Sequence, residues 1–301
     1  MRTVGNTLRQ LSAALRMLLV FTVVLGIAYP LAVWAAAQLP GLQHRADGSV
    51  VTRGGRPVGS ALIGQAFTTK DGDPLVQYLQ PRPSAGGYDP TATGASNLGP
   101  ESVVDTLPDP SVKADEGSPS LLTQVCTRSR DVGMLEHVDG RRPYCTPGGV
   151  GAVLAVFRSG ADHRGRVTRV VSVNEACPAT PFLRTYRGVP VECARAGGDY
   201  AKGTITPIRG DAPADPVVPA DAVTASGSGV DPTISPAYAT LQERRIAAAR
   251  GITVAQVAAV VADVRSGRDL GFLGEPVVNV LRVNAALDER YPYAGARQSG
   301  P

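Results

Sequence analysis

A chain of 301 residues has room for one large domain or two ordinary ones. Its apolar share of 43% is that of a globular protein, while 34 glycines and 25 prolines point to a loop-rich fold with a modest core. The net charge is only +4, basic residues are scattered and aromatic residues are few, which excludes nucleic acid as a natural partner.

The first element breaks the soluble pattern. No charged side chain occurs from Met17 to Gln43, and Leu18–Leu39 as a helix would rise about 33 Å, enough to cross a hydrocarbon core of roughly 30 Å. Pro30 removes one backbone bond and predicts a kink, and Trp34 sits near one end, where an amphipathic ring favours the interface. The same stretch also reads as a cleaved secretory signal, with Arg2, Arg9 and Arg16 before it and an Ala-x-Ala site ending at Ala37. Its apolar run is longer than a usual signal core, which favours a retained anchor. Ala28, Ala32 and Ala36 form a small-residue stripe on which another transmembrane helix can pack, or simply reflect the abundance of alanine. Arg2, Arg9 and Arg16 precede the span and only Arg45 and Arg53 follow it closely. The positive-inside bias therefore predicts a single-pass cell-membrane protein with a cytoplasmic N-terminus (1–16), a transmembrane helix (17–39) and an extracytoplasmic main domain. Four cysteines confined to Cys126–Cys193 fit two disulfides in an oxidising compartment.

Residues 40–100 are rich in Gly, Pro and Ser, and Pro81, Pro83 and Pro90 forbid a central strand, so this part reads as an ordered loop over a surface or a linker. Within 101–220, "GAVLAVFR" (Gly151–Arg158) and "VTRVVSV" (Val167–Val173) flank a turn-like segment and predict an antiparallel hairpin. In that hairpin Cys145 and Cys177 fall nearly opposite at its open end, favouring Cys145–Cys177 with Cys126–Cys193 over the two other connectivities. A zinc site is the alternative, but no C-x-x-C or paired-His spacing supports it. In 221–290 the helical signals are clean. Ser235 is an N-cap followed by Pro236, Gly251 is placed to end that helix, and Thr253 with Gln256 forms a capping box for a second helix. Val277–Val283 reads as a strand, and 291–301 as a disordered tail. The fold class predicted is an α+β extracytoplasmic domain on one N-terminal transmembrane helix, with a disulfide-bearing β-hairpin insertion.

The Gly/Ser-rich stretch "VTASGSGVDPTISP" (Val223–Pro236) invites a catalytic reading and fails each test. A P-loop needs a lysine, and none follows Gly229. A dinucleotide fingerprint needs a third glycine where Pro232 stands. A nucleophile elbow needs Gly two residues before Ser228, where Ser226 stands. The stretch instead reads as a rigid polar turn leading into a helix, able to face a partner. His44, His137 and His163 lack partners at ligand spacing, and no carboxylate pair is arranged for acid–base work. No catalytic or metal-binding motif emerges.

Read together, several blocks carry a resemblance. They are "GIAYPLAVW", "GSALIGQAFT" (Gly59–Thr68), "YLQPRPSAGGYDPTATGASNLGP" (Tyr78–Pro100), "VTASGSGVDPTISPAYATLQ" (Val223–Gln242), "AARG" and "GFLGEPVVNVLRVNAALD" (Gly271–Asp288). In these the chain resembles the C subunit of the Kdp-type potassium-transporting ATPase. The resemblance implies a noncatalytic accessory subunit joining a channel-like potassium subunit and a P-type ATPase subunit within lipid. It implies no cofactor bound by this chain, although the family is credited with raising the ATP affinity of the ATP-hydrolysing subunit. The family blocks make Gln80, Arg82, Pro83, Ser84, Asn97, Ser226, Ser228, Asp231, Ser235 and Asn279 candidates for partner contact, and Ala28, Pro30, Ala32 and Ala36 candidates for packing in the membrane. The chain departs from the family at Thr233, where a histidine is usual, and in the long span from Ser102 to about Ala222. An independent secreted or anchored binding module with a disulfide-stapled lobe is the competing reading.

Overall fold

The computed structural model describes residues 2–109, 111–160 and 164–293. His163 and the tail beyond residue 293 lie outside the described residues. The chain divides into two compact units, Met1–Leu62 and Ile63–Pro301.

In the first unit a helix runs through α1 (Arg2–Val23), a π-helical turn over Val24–Ala28 and α2 (Tyr29–Ala37). The π turn ends just before Pro30, and the N–H of Tyr29 reaches back to the carbonyl of Val24. Pro30 has no N–H and its ring crowds the carbonyl four residues back, so widening the local turn lets the helix continue through the proline. The continuous apolar helix spans Gly5–Ala37, and none of its most apolar stretch is buried. Thirty-three residues correspond to about 50 Å of helix. A short turn of helix, α3 (Gln43–Ala46), and the hairpin β1 (Val50–Arg53)–β2 (Arg56–Ser60) complete the unit.

The second unit opens with an extended segment and then α4 (Leu121–Glu136), which precedes a five-stranded sheet. Its strands are β3 (Val153–Arg158), β4 (Val167–Ala176), β5 (Thr185–Tyr186), β6 (Val189–Ala194) and β7 (Thr204–Pro207), in the order β5-β6-β4-β3-β7. The β3–β4 hairpin is antiparallel as the sequence predicts, whereas β4 and β6 run parallel. Alternation along β3 sends Leu154 and Val156 into one apolar cluster and Val153 and Ala155 into another, so both faces of the sheet are covered.

Two disulfides form within this lobe, Cys126–Cys145 and Cys177–Cys193. The pairing Cys145–Cys177 with Cys126–Cys193 is therefore incorrect, for two reasons. The turn over Thr146–Val150 folds Cys145 back beside Gly151 instead of extending the hairpin, placing it against Cys126 of α4. The parallel β4–β6 ladder sets Ser172 opposite Cys193, and the N–H of Cys177 bonds the carbonyl of Ala194.

After the lobe come the two-residue strand β8 (Thr233–Ile234), α5 (Pro236–Arg250), α6 (Val254–Val264), β9 (Val278–Asn279) and α7 (Val280–Arg290). The αα-hairpin forms as predicted: Ser235 caps α5, Gly251 ends it in the left-handed region at φ +67°, and the Thr253/Gln256 capping box starts α6. The strand expected over Val277–Val283 is confined to Val278–Asn279. Asn279 accepts the N–H of Arg282 and launches a helix, because its capping side chain turns an apolar run into an N-terminus. Ile234, Tyr238, Ile246, Val257, Val260, Val283 and Leu287 form the largest core, joined by Leu79 from the extended segment.

Candidate functional site

Among its described residues the extended segment has no helix or strand to satisfy its backbone, and buried side-chain amides do so instead. Gln242 on α5 accepts the N–H of Gln80 at 2.7 Å and donates to its carbonyl at 3.1 Å. Asn284 on α7 makes the same reciprocal pair with Leu79, at 2.8 and 3.0 Å. Both amides are almost completely buried, so each stands in for a neighbouring strand where water is absent. Two arginines extend this clasp. Arg245 donates to the carbonyls of Val76 and Tyr78, to Gln242 and to Glu136. Arg250 reaches the carbonyls of Gln77 and Tyr291 and pairs with Asp288, with its guanidinium 5.2 Å from the centre of the Tyr78 ring. The Tyr78 hydroxyl donates to Asp288 at 2.9 Å.

The next residues lock onto the Gly/Ser-rich loop. Arg82 pairs with Asp231 at 3.3 Å and donates to the carbonyls of Thr224 and Ala225. Ser84 donates to the Gly229 carbonyl at 2.6 Å, and the N–H groups of Gly64 and Gly94 bond the carbonyls of Val230 and Ser228. The glycines have steric reasons. A Cβ on Gly229, itself at φ +71°, would lie 2.7 Å from the carbonyl oxygen of Gly94, and one on Gly64 would lie 2.5 Å from that of Asp231. The hydroxyls of Ser226 and Ser228 accept the N–H groups of Gly229 and Val230. They are turned onto their own backbone and do not present a phosphate cradle.

Asp231 also receives the N–H and hydroxyl of Thr233, at 2.9 and 2.8 Å, so threonine here closes a local turn. Asp221 holds both the N–H and the hydroxyl of Ser235, fixing the residue that caps α5. Of the candidate contact residues, the structure brings Gln80, Arg82, Ser84, Ser226, Ser228, Asp231 and Ser235 into the region where the extended segment meets α5 and the Gly/Ser-rich loop, each in hydrogen bonds there. Gln80 and Ser226 are buried within it, Pro83 is half-buried beside it, and Asn97 is exposed. Asn279 serves as the α7 cap. Ala28, Pro30, Ala32 and Ala36 are exposed along the N-terminal helix. Gln242, Asn284, Arg245 and Arg250 carry the clasp but are not singled out by motif, since a buried amide leaves no periodic signal.

The lobe joins this assembly through α4. Arg128 and Arg142 donate to the carbonyls of Val223 and Val218, and burial lowers the proton affinity of both guanidiniums. Glu136 pairs with Arg245 at 2.9 Å with both side chains buried, and its second carboxylate oxygen has no hydrogen-bond partner. Burial raises the pKa of Glu136, while Arg245 opposes that shift and the neighbouring His137 opposes it less. A groove of about 570 Å³ runs between α4 and the extended segment, with Phe67, Pro81, Tyr88, Arg128, Val132 and Tyr238 in its walls.

Fold and site thus define an α+β domain behind an apolar N-terminal helix, with its polar side chains committed to holding an extended segment in place. The family model for the K+-transporting ATPase c chain matches residues 11–106 and 200–289. The potassium-transporting ATPase KdpC subunit of Kineococcus radiotolerans is 38% identical over 95% of this chain and 97% of its own length. Those of Rhodospirillum rubrum and Mycobacterium tuberculosis are each 34% identical, over 95% and 93% of this chain and 99% and 98% of their own. The chain belongs to the family of the potassium-transporting ATPase C subunit. The family model leaves residues 107–199 unmatched, which hold both disulfides and all of the lobe's sheet except β7, yet near-complete alignment with these relatives gives the lobe a counterpart in them.

Proposed function

We propose that this chain is a noncatalytic accessory subunit of a high-affinity, ATP-driven potassium uptake complex, and that it acts in assembling and stabilising that complex. Its partners are the channel-like potassium subunit and the P-type ATPase subunit. The helix over Gly5–Ala37 anchors it in the cell membrane, with a cytoplasmic N-terminus and an extracytoplasmic main domain. Family membership supports the subunit role. The early arginines Arg9 and Arg16 and the two disulfides support the orientation.

One observation carries the reading: a chain matched to this family on both sides of its lobe also has a long apolar helix with no part of its most apolar stretch covered. Such a helix packs against lipid and neighbouring spans through small residues, and Ala28, Ala32 and Ala36 offer a face for them. A role in ATP affinity, credited to the family, has to be indirect in this topology, because the main domain lies across the membrane from cytoplasmic ATP.

Co-purification tests the proposal. A tagged potassium subunit should bring down both the ATPase subunit and this chain, and cells lacking the chain should yield dissociated partners. Recovery of a fully assembled, active pump without it would overturn the reading.

A further inference from the structure

The groove between α4 and the extended segment has polar groups in its walls that the chain itself leaves unused. Gln80 is 7% exposed and Tyr238 3%. The Gln80 amide nitrogen donates to the carbonyls of Phe67, Leu75 and Tyr78, which fixes the other end of that amide as the oxygen. Gln80 Oε1 and the Tyr238 hydroxyl have no hydrogen-bond partner among the described residues. Neither is sealed in the core as the second oxygen of Glu136 is, so both open into the groove that they line. Arg128, in the same wall, donates to the Val223 carbonyl and to Gln124, each at 3.1 Å, and pairs with no carboxylate among the described residues. The other charged side chains of the groove are already paired, Arg82 with Asp231 and Asp131 with Arg130. The groove therefore lacks one negative charge.

These three groups select what binds there. Gln80 Oε1 calls for an N–H or O–H donor, Arg128 for a carboxylate, and the Tyr238 hydroxyl accepts either kind of partner. A lipid tail supplies none of them. A simple anion leaves Gln80 unanswered and the apolar walls of Phe67, Pro81 and Val132 uncovered. An extended polypeptide brings backbone N–H groups, apolar side chains for the walls and a carboxylate on Asp or Glu. The groove is also open to solvent and not enclosed. That suits a chain passing through better than a small molecule, whose sites cover most of its surface. Helix α4 turns Arg128, Asp131, Val132 and Leu135 toward it at helical spacing, so the lobe and the extended segment build the groove together.

We infer that this groove receives an extended segment of a partner subunit, in which an acidic side chain meets Arg128, a backbone N–H meets Gln80 and apolar neighbours cover the walls. The inference rests on the subunit role proposed above for the source of the segment. It gives the lobe a task of its own, as one jaw of a binding site whose other jaw is the extended segment.

Photo-crosslinking in the assembled complex tests this, with p-benzoylphenylalanine placed at Asp131 in the groove or, as control, at exposed Thr168 of β4. The Asp131 position should yield an adduct with a partner subunit, mapping to one segment that has Asp or Glu among apolar residues, and the Thr168 position should not. A synthetic peptide of that segment should bind the full-length chain in detergent, and Arg128→Gln should weaken binding about tenfold or more. Tyr238→Phe should weaken it about threefold with the unfolding midpoint unchanged, because that hydroxyl bonds nothing among the described residues of the free chain. A complex that assembles without this chain would overturn the subunit role and the source of the segment together. An assembled complex with no adduct from Asp131 would overturn the groove's role alone. So would an adduct to lipid, to the chain itself or to a segment without an acidic residue, and so would peptide binding that both substitutions leave unchanged.

Discussion

Gln80 and Gln242, 162 residues apart in sequence, form a closed pair in which one side-chain amide satisfies both backbone groups of the other residue. Because Gln242 is fully buried, nothing else is at hand to replace it. Gln242→Leu preserves size and strands the N–H and carbonyl of Gln80 together with one bond to Arg245. The substitution should cost about 2–5 kcal/mol, read as a fall in unfolding midpoint in detergent. A change within 0.5 kcal/mol would show that the clasp does not hold the segment.

Glu136 gives the fold a pH dependence of defined sign. Its folded pKa lies above the ordinary 4.5, so between the unfolded and folded values the native state binds more protons. Stability contributed by this group should therefore fall as pH rises from about 4.5 through the raised folded value. Glu136→Gln should flatten that decline, so the variant's stability relative to wild type improves with rising pH. Parallel stability–pH curves for the two proteins would refute the assignment.

Leu270, at φ +52°, holds a backbone conformation that asparagine adopts more readily. Leu270→Asn should stabilise the isolated chain by about 1 kcal/mol in thermal unfolding, an uncommon direction for replacing a large apolar residue. Destabilisation would mean that the leucine packs inside the domain.

Peptide mapping of the oxidised protein should recover Cys126 linked to Cys145 and Cys177 linked to Cys193. Replacing either pair by serine removes a cross-link over a sequence separation of 19 or 16 residues, which should cost about 3 kcal/mol as seen in denaturant unfolding. Recovery of any Cys145–Cys177 peptide would contradict the fold of the lobe.

The parts legible in sequence are those whose signals are local. Ser235-Pro236, Gly251 and the Thr253/Gln256 box mark α5 and α6 within a few residues of each terminus, and the β3–β4 hairpin announces itself by two apolar runs and a turn. Helix α4 escaped because its buried face is Thr123, Cys126, Ser129, Gly133 and Glu136, a helical spacing written in residues that hydrophobicity does not count. Its one readable signal is Ser120, which caps it by accepting the N–H of Thr123. The disulfides escaped because the parallel β4–β6 pairing is set by tertiary packing. Val277–Val283 reads as a strand in sequence but is mostly helix, since a short apolar run fits strand and helix alike and the Asn279 cap starts α7 within it. The Gly/Ser-rich loop was read correctly as a turn, but its role as the receiving half of a lock on residues 64–94 depends on partners far along the chain.

Both cross-links of the lobe close on the lobe itself, and none reaches the part that the family model matches. The chain thus carries two sets of requirements for maturation. One portion needs an oxidant to finish it, whereas the other is held by amides and arginines, one of which, Arg245, reaches across to Glu136 of α4. In a cell that fails to oxidise this protein, the damage should not stop at the lobe, because α4 carries both Cys126 and the buried Glu136 that pairs with Arg245. The lobe is in this sense a buttress, and loosening it removes one support from the frame it leans on.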